Sequence, residues 1–368
     1  MKVLSIFGTR PEAIKMCPLI LELNKRENVE CRVCLTGQHK EMLKQVMDAF
    51  DVTAEYNLDI MRQKQTLTTI TIDILSKIEE VLEVEKPDIV LVHGDTTTSF
   101  VGALAAFYQK IPVGHVEAGL RTGNIYSPYP EELNRQLTGR IAQYHFAPTE
   151  NNKNNLLQEN IKEHIYITGN TVIDAFSTTV KEGYQFKEEV LNTLDFSARK
   201  VILVTAHRRE NLGEPLENIC EALYRLVETD EDVEIVYPVH LNPVVRETVN
   251  NKLANIERVH LIDPLDVMDM HNLIARCYLV MTDSGGLQEE APACGKPVLV
   301  MRTETERPEA VAAGTVKVVG VESEKIYQEA FTLLSNKDSY EKMAKAVNPY
   351  GDGHACERIA DVLQNIFC

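Results

Sequence analysis

The chain has 368 residues, 44% hydrophobic and 25% charged, a size and composition that suit about two folded domains with cores of their own and exclude wholesale disorder. Lys and Arg total 38 against 55 Asp and Glu, a formal net charge of -17, which argues against nucleic acid and membranes as partners but leaves room for a small anion in a local basic pocket. The start, MKVLSIFGTRPEAIKM, has too short an apolar run for a signal peptide or a membrane span, and the eight Cys lack framework spacing, so a reduced, cytoplasmic protein is expected.

Short β-branched runs alternate with segments of helical period, which predicts an α/β protein built from βαβ units. The first series of predicted strands is Lys2 to Phe7, Glu30 to Thr36, Asp88 to His93, Pro112 to Val116, Tyr144 to Ala147 and Ile165 to Thr168. Between them lie predicted helices Pro11 to Lys25, His39 to Phe50, Leu67 to Glu85 and Glu131 to Ile141. After Gly169 the pattern becomes charged and less periodic, and a second series follows: Val201 to Thr205, Val233 to Pro238, Val259 to Ile262, Leu279 to Thr282, Pro297 to Val300 and Val316 to Val319. Two doubly wound, Rossmann-like domains facing across a cleft are expected, residues 1–169 and 170–353, with a last helix in 354–368 completing the first.

Several strand ends carry chemistry. Phe7-Gly8-Thr9-Arg10-Pro11-Glu12 places Arg10 at the carboxyl end of the first strand and Lys15 one turn into the next helix, a candidate diphosphate clamp. Asp95 in HGDTTTSF and Glu117 in VGHVEAGLRTG fall at neighbouring strand ends, although an Asp before a Thr run also suits an N-cap. His93 with Asp95 and His115 with Glu117 invite a metal reading, but no ligand set of metal-site spacing supports it. Nor does a second pair complete the lone Cys31-x-x-Cys34, whose residues should point to opposite faces of a strand.

In SPYPEELNRQLTG, Pro130 opens a helix that should set Glu131 and Arg135 on one face at i, i+4. His207, Arg208 and Arg209 stand just past a strand, where a βα turn needs no cations, so an anion-facing role is expected. In MTDSGGLQEE, the Ser284 hydroxyl and the Gly285-Gly286 pair suit a phosphate, and Glu290 suits ribose hydroxyls. Neither a G-x-G-x-x-G nor a Walker loop is present there.

Taken together, FGTRPEAIKM, HGDTTTSF, VGHVEAGLRTG, SPYPEELNRQLTG, TAHRREN, TDSGGLQEEAP and MRTETERPEA resemble the non-hydrolysing bacterial UDP-N-acetylglucosamine 2-epimerases, with the match running from Lys2 to NPYGDGHA. The resemblance implies a glycosyltransferase-B-type fold with UDP held by the second domain, reversible interconversion of UDP-GlcNAc and UDP-ManNAc, a homodimer, and neither NAD nor a metal. It implies that Asp95, Glu117 and Glu131 are the catalytic carboxylates and His207 the active-site histidine. It also implies that Arg10, Lys15, Arg135, Ser284, Gly285, Gly286 and Glu290 hold nucleotide or sugar, with Met270 where relatives place an aromatic near uracil.

Members activated by their own substrate bind a second molecule at positions matching Gln38, Glu131, Arg208 and His240. Here Glu41 stands where those members have Gln and Lys64 where they have Arg. The first exchanges an amide for a charge that repels a diphosphate, and the second loses a bidentate fork, so the resemblance supports catalysis more strongly than activation. A glycosyltransferase of the same fold and a hydrolysing epimerase are the alternatives.

Overall fold

The structure is a computed structural model that describes residues 1–37, 40–62 and 65–368, the side chains of residues 40–42 excepted. Gln38 and Lys64, and the side chain of Glu41, therefore lie outside the described residues.

The first series of strands is β1 (Lys2–Phe7), β2 (Glu30–Leu35), β3 (Tyr56–Asn57), β4 (Ile89–His93), β5 (Val113–Val116), β6 (Tyr144–Ala147) and β7 (Ile165–Ile167). The second is β8 (Lys200–Thr205), β9 (Val233–Pro238), β10 (Val259–Ile262), β11 (Leu279–Thr282), β12 (Val298–Val300) and β13 (Val316–Val318). Among the described residues they form one sheet in the order β3-β2-β1-β4-β5-β6-β7 and another in the order β10-β9-β8-β11-β12-β13. Neighbouring strands are parallel throughout. The α/β, Rossmann-like class expected for both halves is what forms.

Central strands of such a sheet are covered on both faces, which is why β1, β4 and β8 read as nearly unbroken apolar runs. In the first sheet Leu4, Ile6, Val90 and Val92 pack against Ile74, Ile78 and Leu82 of the helix Leu67–Glu85 and Val101 and Ala105 of the helix Thr97–Tyr108. In the second, Ile202, Val204, Ile235 and Tyr237 pack against Leu216, Leu223 and Val227 of the helix Glu214–Thr229. Each such Val, Leu or Ile side chain removed from water contributes about 1.5–3 kcal/mol before conformational entropy is charged against it.

The chain divides into one unit of Met1–Thr178 with Tyr350–Cys368 and another of Thr179–Pro349. Hydrogen bonding accounts for the return of the tail. Asp174, on the helix Thr171–Thr179, accepts from the backbone N–H of Ala355 at 3.2 Å and of Cys356 at 2.8 Å, capping the helix Ala355–Phe367. Gly169 makes room for this: it has φ +89°, and a Cβ there would stand 3.3 Å from the Cα of Gly351.

Both sheet orders reverse direction once, between β1 and β4 and between β8 and β11. Such switch points open a crevice at the carboxyl ends of the strands, where ligands bind in this class of fold. Arg10 and Asp95 follow β1 and β4, and His207 and Ser284 follow β8 and β11.

Candidate active site

In the first unit the turns after β1, β4 and β5 bring charged side chains together. Glu117 follows β5 with φ +62°, a left-handed conformation that a non-glycine residue adopts at a cost of about 1–2 kcal/mol. Its Oε2 lies 2.5 Å from Lys15 Nζ and 2.7 Å from Nε2 of the buried His93. Burial pushes the Glu117 carboxyl upward, but the fields and hydrogen bonds of Lys15 and His93 outweigh it and hold it well below the usual carboxylate range. His93 is therefore used as a carboxylate partner. His115 points elsewhere, its Nε2 lying 2.7 Å from the carbonyl oxygen of Gly94.

Asp95 does not cap the following helix. Thr96 does, its hydroxyl accepting from the Ser99 N–H at 3.1 Å, and the Asp95 carboxylate is left to pair with the buried guanidinium of Arg135. Asn134 Nδ2 holds the Asp95 carbonyl at 3.0 Å. Arg135 was expected beside Glu131; it instead reaches Glu132 Oε2 at 3.1 Å, and among the described residues no ion pair joins it to Glu131. Glu132 wins because it is fully buried, where its carboxylate also accepts from the N–H groups of Thr122 at 3.1 Å and Gly123 at 3.2 Å. Glu131 opens the helix Glu131–Ile141 and remains partly exposed. Arg135 Nε is buried and, among the described residues, has no hydrogen-bond partner, which leaves a donor for a ligand.

Beneath these groups lies Glu12, which the sequence reading passed over. Its Oε2 accepts from the N–H groups of Gly8 at 3.0 Å and Thr9 at 2.8 Å, and its Oε1 from the hydroxyls of Thr96 at 2.7 Å and Ser99 at 3.0 Å. One buried carboxylate thus ties the Arg10 turn to the Asp95 turn. The Thr9-x-x-Glu12 capping box was the visible signal.

In the second unit the turns after β8 and β11 converge in the same way. His207 stacks on His240 with ring centroids 4.9 Å apart and planes 17° from parallel. Burial, with His207 next in weight, lowers the pKa of His240. Arg208 donates to Glu306 Oε1 at 3.0 Å, and Arg302 to Glu306 Oε2 at 2.6 Å. Burial raises the Glu306 carboxyl, but its own backbone N–H and the two arginines bring it down to about 2. Its Oε1 sits 3.1 Å from where a Gly285 Cβ would stand, so a carboxylate lies against the turn read as a phosphate seat.

Gly286 caps the short helix Leu287–Ala293, and Glu290 falls in its first turn, 3.8 Å from Nε2 of the buried His271. Met270 precedes that histidine on the helix Val267–Arg276 and is partly buried. Arg302 and Glu306 were not predicted, because nothing local in MRTETERPEA distinguishes them from a solvated charge run.

These sites can be set beside known proteins. Residues 21–364 match the family model for UDP-N-acetylglucosamine 2-epimerase.

The chain belongs to the UDP-N-acetylglucosamine 2-epimerase family.

The UDP-N-acetylglucosamine 2-epimerase of Bacillus subtilis is 57% identical over 364 residues, covering 99% of this chain and 95% of that protein. The Escherichia coli K12 enzyme of the same name is 53% identical over 371 residues, covering 99% of each. Among solved structures, the Neisseria meningitidis UDP-GlcNAc 2-epimerase bound to UDP-GlcNAc superposes with a TM-score of 0.90 at 51% identity, covering 99% of this chain and 100% of that one. The Methanocaldococcus jannaschii UDP-GlcNAc 2-epimerase, in complex with UDP-GlcNAc and UDP, gives 0.80 at 37% identity, again covering 99% and 100%. The family thus accounts for the whole length of the chain, both units included.

Proposed function

We propose that the protein is a UDP-N-acetylglucosamine 2-epimerase that interconverts UDP-GlcNAc and UDP-ManNAc by elimination and re-addition of UDP. Support comes above all from Asp95 and Glu117, placed at neighbouring strand ends with a cation on each, in a chain 51% identical to a protein solved with UDP-GlcNAc bound.

The C2 hydrogen of the sugar is not next to a carbonyl carbon, so its direct removal would leave charge with nowhere to go. If the C1–O bond breaks first, UDP leaves with the electron pair and positive charge grows at C1. The C2 hydrogen then becomes acidic enough for a carboxylate to take, and the electrons of the C2–H bond form the C1=C2 double bond of 2-acetamidoglucal. Return of a proton to the opposite face of C2, with the UDP oxygen re-forming its bond to C1, gives the epimer.

The proton steps are assigned to Asp95, Glu117 and Glu131, groups of a kind that contribute about 10²–10⁴-fold each. The diphosphate is assigned to Arg10, Arg135, His207, Ser284 and Gly285, donors that stabilise negative charge as the bond breaks. Glu290 is assigned to the ribose hydroxyls. A Glu117 held ionised by Lys15 and His93 suits either a base or a stabiliser of the cationic anomeric carbon.

The test is a proton NMR time course on UDP-GlcNAc in D₂O. The expected result is deuterium at C2 of a product that keeps UDP on C1. Hydrogen retained at C2, or free sugar and UDP released stoichiometrically, would overturn the proposal, the latter in favour of a hydrolase or transferase. Among the described residues no helix is long and apolar enough to cross a membrane. A cytoplasmic homodimer is part of the same proposal, checked by light scattering of the purified protein and by fractionation of cells.

A further inference from the structure

At the second switch point a protein carboxylate has already claimed backbone donors of the turn after β8, those of His207 and Arg208. Asp283 follows β11 and is completely buried. Its Oδ2 accepts from the backbone N–H of His207 at 2.8 Å, from that of Arg208 at 2.8 Å and from Asn211 Nδ2 at 3.1 Å. Its carbonyl oxygen accepts from Arg208 Nε at 3.1 Å. The turn after β8 is therefore folded around Asp283, with the His207 and Arg208 amides pointing inward and the side chains of those residues left to meet an anion.

A negative charge so close to a phosphate turn would repel a diphosphate if it faced outward. Here the carboxylate is buried and accepts from three N–H donors whose dipoles offset its charge, so its contact with a ligand runs through the residues it holds. The structure assigns Asp283 as a positioning residue that fixes the His207 imidazole and the Arg208 guanidinium, and thereby sets how firmly departed UDP is kept for re-addition. This rests on the elimination and re-addition proposed above. At the first switch point Glu12, from the helix after β1 rather than from the second strand's turn, likewise joins the turns after β1 and β4, so a carboxylate brace at the reversal of strand order is found in both units.

Asp283 Oδ1 is buried and, among the described residues, has no hydrogen-bond partner. An amide nitrogen can occupy that position while the remaining oxygen still faces the three N–H donors. Asp283→Asn thus preserves shape and removes charge, and hydrogen bonds to a charged acceptor are roughly twice as strong as neutral ones.

The informative readout is a partition ratio: 2-acetamidoglucal and UDP released, divided by epimer formed, at saturating UDP-GlcNAc. Loss of folded protein lowers both quantities alike and leaves the ratio unmoved. Asp283→Asn is expected to raise the ratio about tenfold and weaken UDP binding, measured by calorimetry, by a similar factor, as follows from losing charge assistance on these bonds. Asp283→Glu, which keeps the charge, should recover part of the effect.

An unchanged ratio and unchanged UDP affinity in folded Asp283→Asn would overturn the assignment. Should that variant fail to fold, Asn211→Ala removes one of the three donors and carries the same expectation at smaller size, and an unchanged ratio there overturns it equally. A wild-type protein that leaves hydrogen at C2 would instead sink the epimerase reading, a separate outcome.

Discussion

Lys15 Nζ and His93 Nε2 approach the same oxygen of Glu117, at 2.5 Å and 2.7 Å. An ammonium and an imidazole converging on one carboxylate oxygen favour the charged form of that carboxylate, and Glu117 is held well below the usual range. Its folded pKa is depressed, so its contribution to stability is present above the carboxylate range of an unfolded chain and is lost as pH falls through the folded value. Lys15→Met removes the ammonium. The expected outcome is a fall in kcat/KM of about a hundredfold and an acidic limb of its pH profile displaced to higher pH. A lower kcat/KM with the limb in place would mean that Lys15 serves only to bind substrate.

His115 carries the opposite sign. Burial pushes it down to about 3, and its Nε2, facing the Gly94 carbonyl, must carry the hydrogen. His145, also buried, lies at about 4. An unfolded chain takes up these protons near pH 6.5 while the folded one refuses them, so stability declines as pH drops from about 6.5 toward the folded values. In urea titrations of the whole protein across that window, His115→Gln should flatten the decline by about one proton. An unaltered slope would show that the imidazole is protonated in the folded state.

Glu12→Ala leaves the Gly8 and Thr9 amides and the Thr96 and Ser99 hydroxyls short of their acceptor. A loss of about 3 kcal/mol is expected, read from the first unfolding transition in urea. Glu12→Gln should cost less, since its amide oxygen can still accept from the backbone and the hydroxyls can turn to accept from its NH₂.

Two glycines of the loop after β5 differ in what a methyl group would meet. At Gly119, with φ +92°, a Cβ would stand 2.2 Å from the Asn152 carbonyl oxygen, whereas at Gly123, with φ +80°, nothing among the described residues lies within 4 Å. Gly119→Ala should therefore destabilise by more than about 3 kcal/mol or prevent folding, and Gly123→Ala by only about 1 kcal/mol. Thermal melts of the two variants side by side check this.

Most strands were legible because strands buried on both faces leave apolar runs bounded by Gly, Pro and charge. Tyr56–Asn57 escaped for the converse reason, being a two-residue edge strand too short to carry a pattern. Charge partners were harder. Spacing along a helix allows Arg135 to meet Glu131, but a rival Asp95 arriving from another strand, and a buried Glu132 one residue on, can be weighed only once the chain is folded. Asp95 and Thr96 are both good caps, and one residue of register decided between them. Asp283 sat inside a motif read for its serine and glycines, and its true partners are 72 to 76 positions away.

The tail that returns at Tyr350 has a consequence for synthesis. The second unit is a continuous stretch, Thr179–Pro349, whereas the first needs Tyr350–Cys368, whose helix buries Cys356, Ile359, Ala360 and Leu363. On the ribosome, where domains tend to fold as units in the order they emerge, the later stretch has all its residues before the earlier one does. The half begun first is the half finished last.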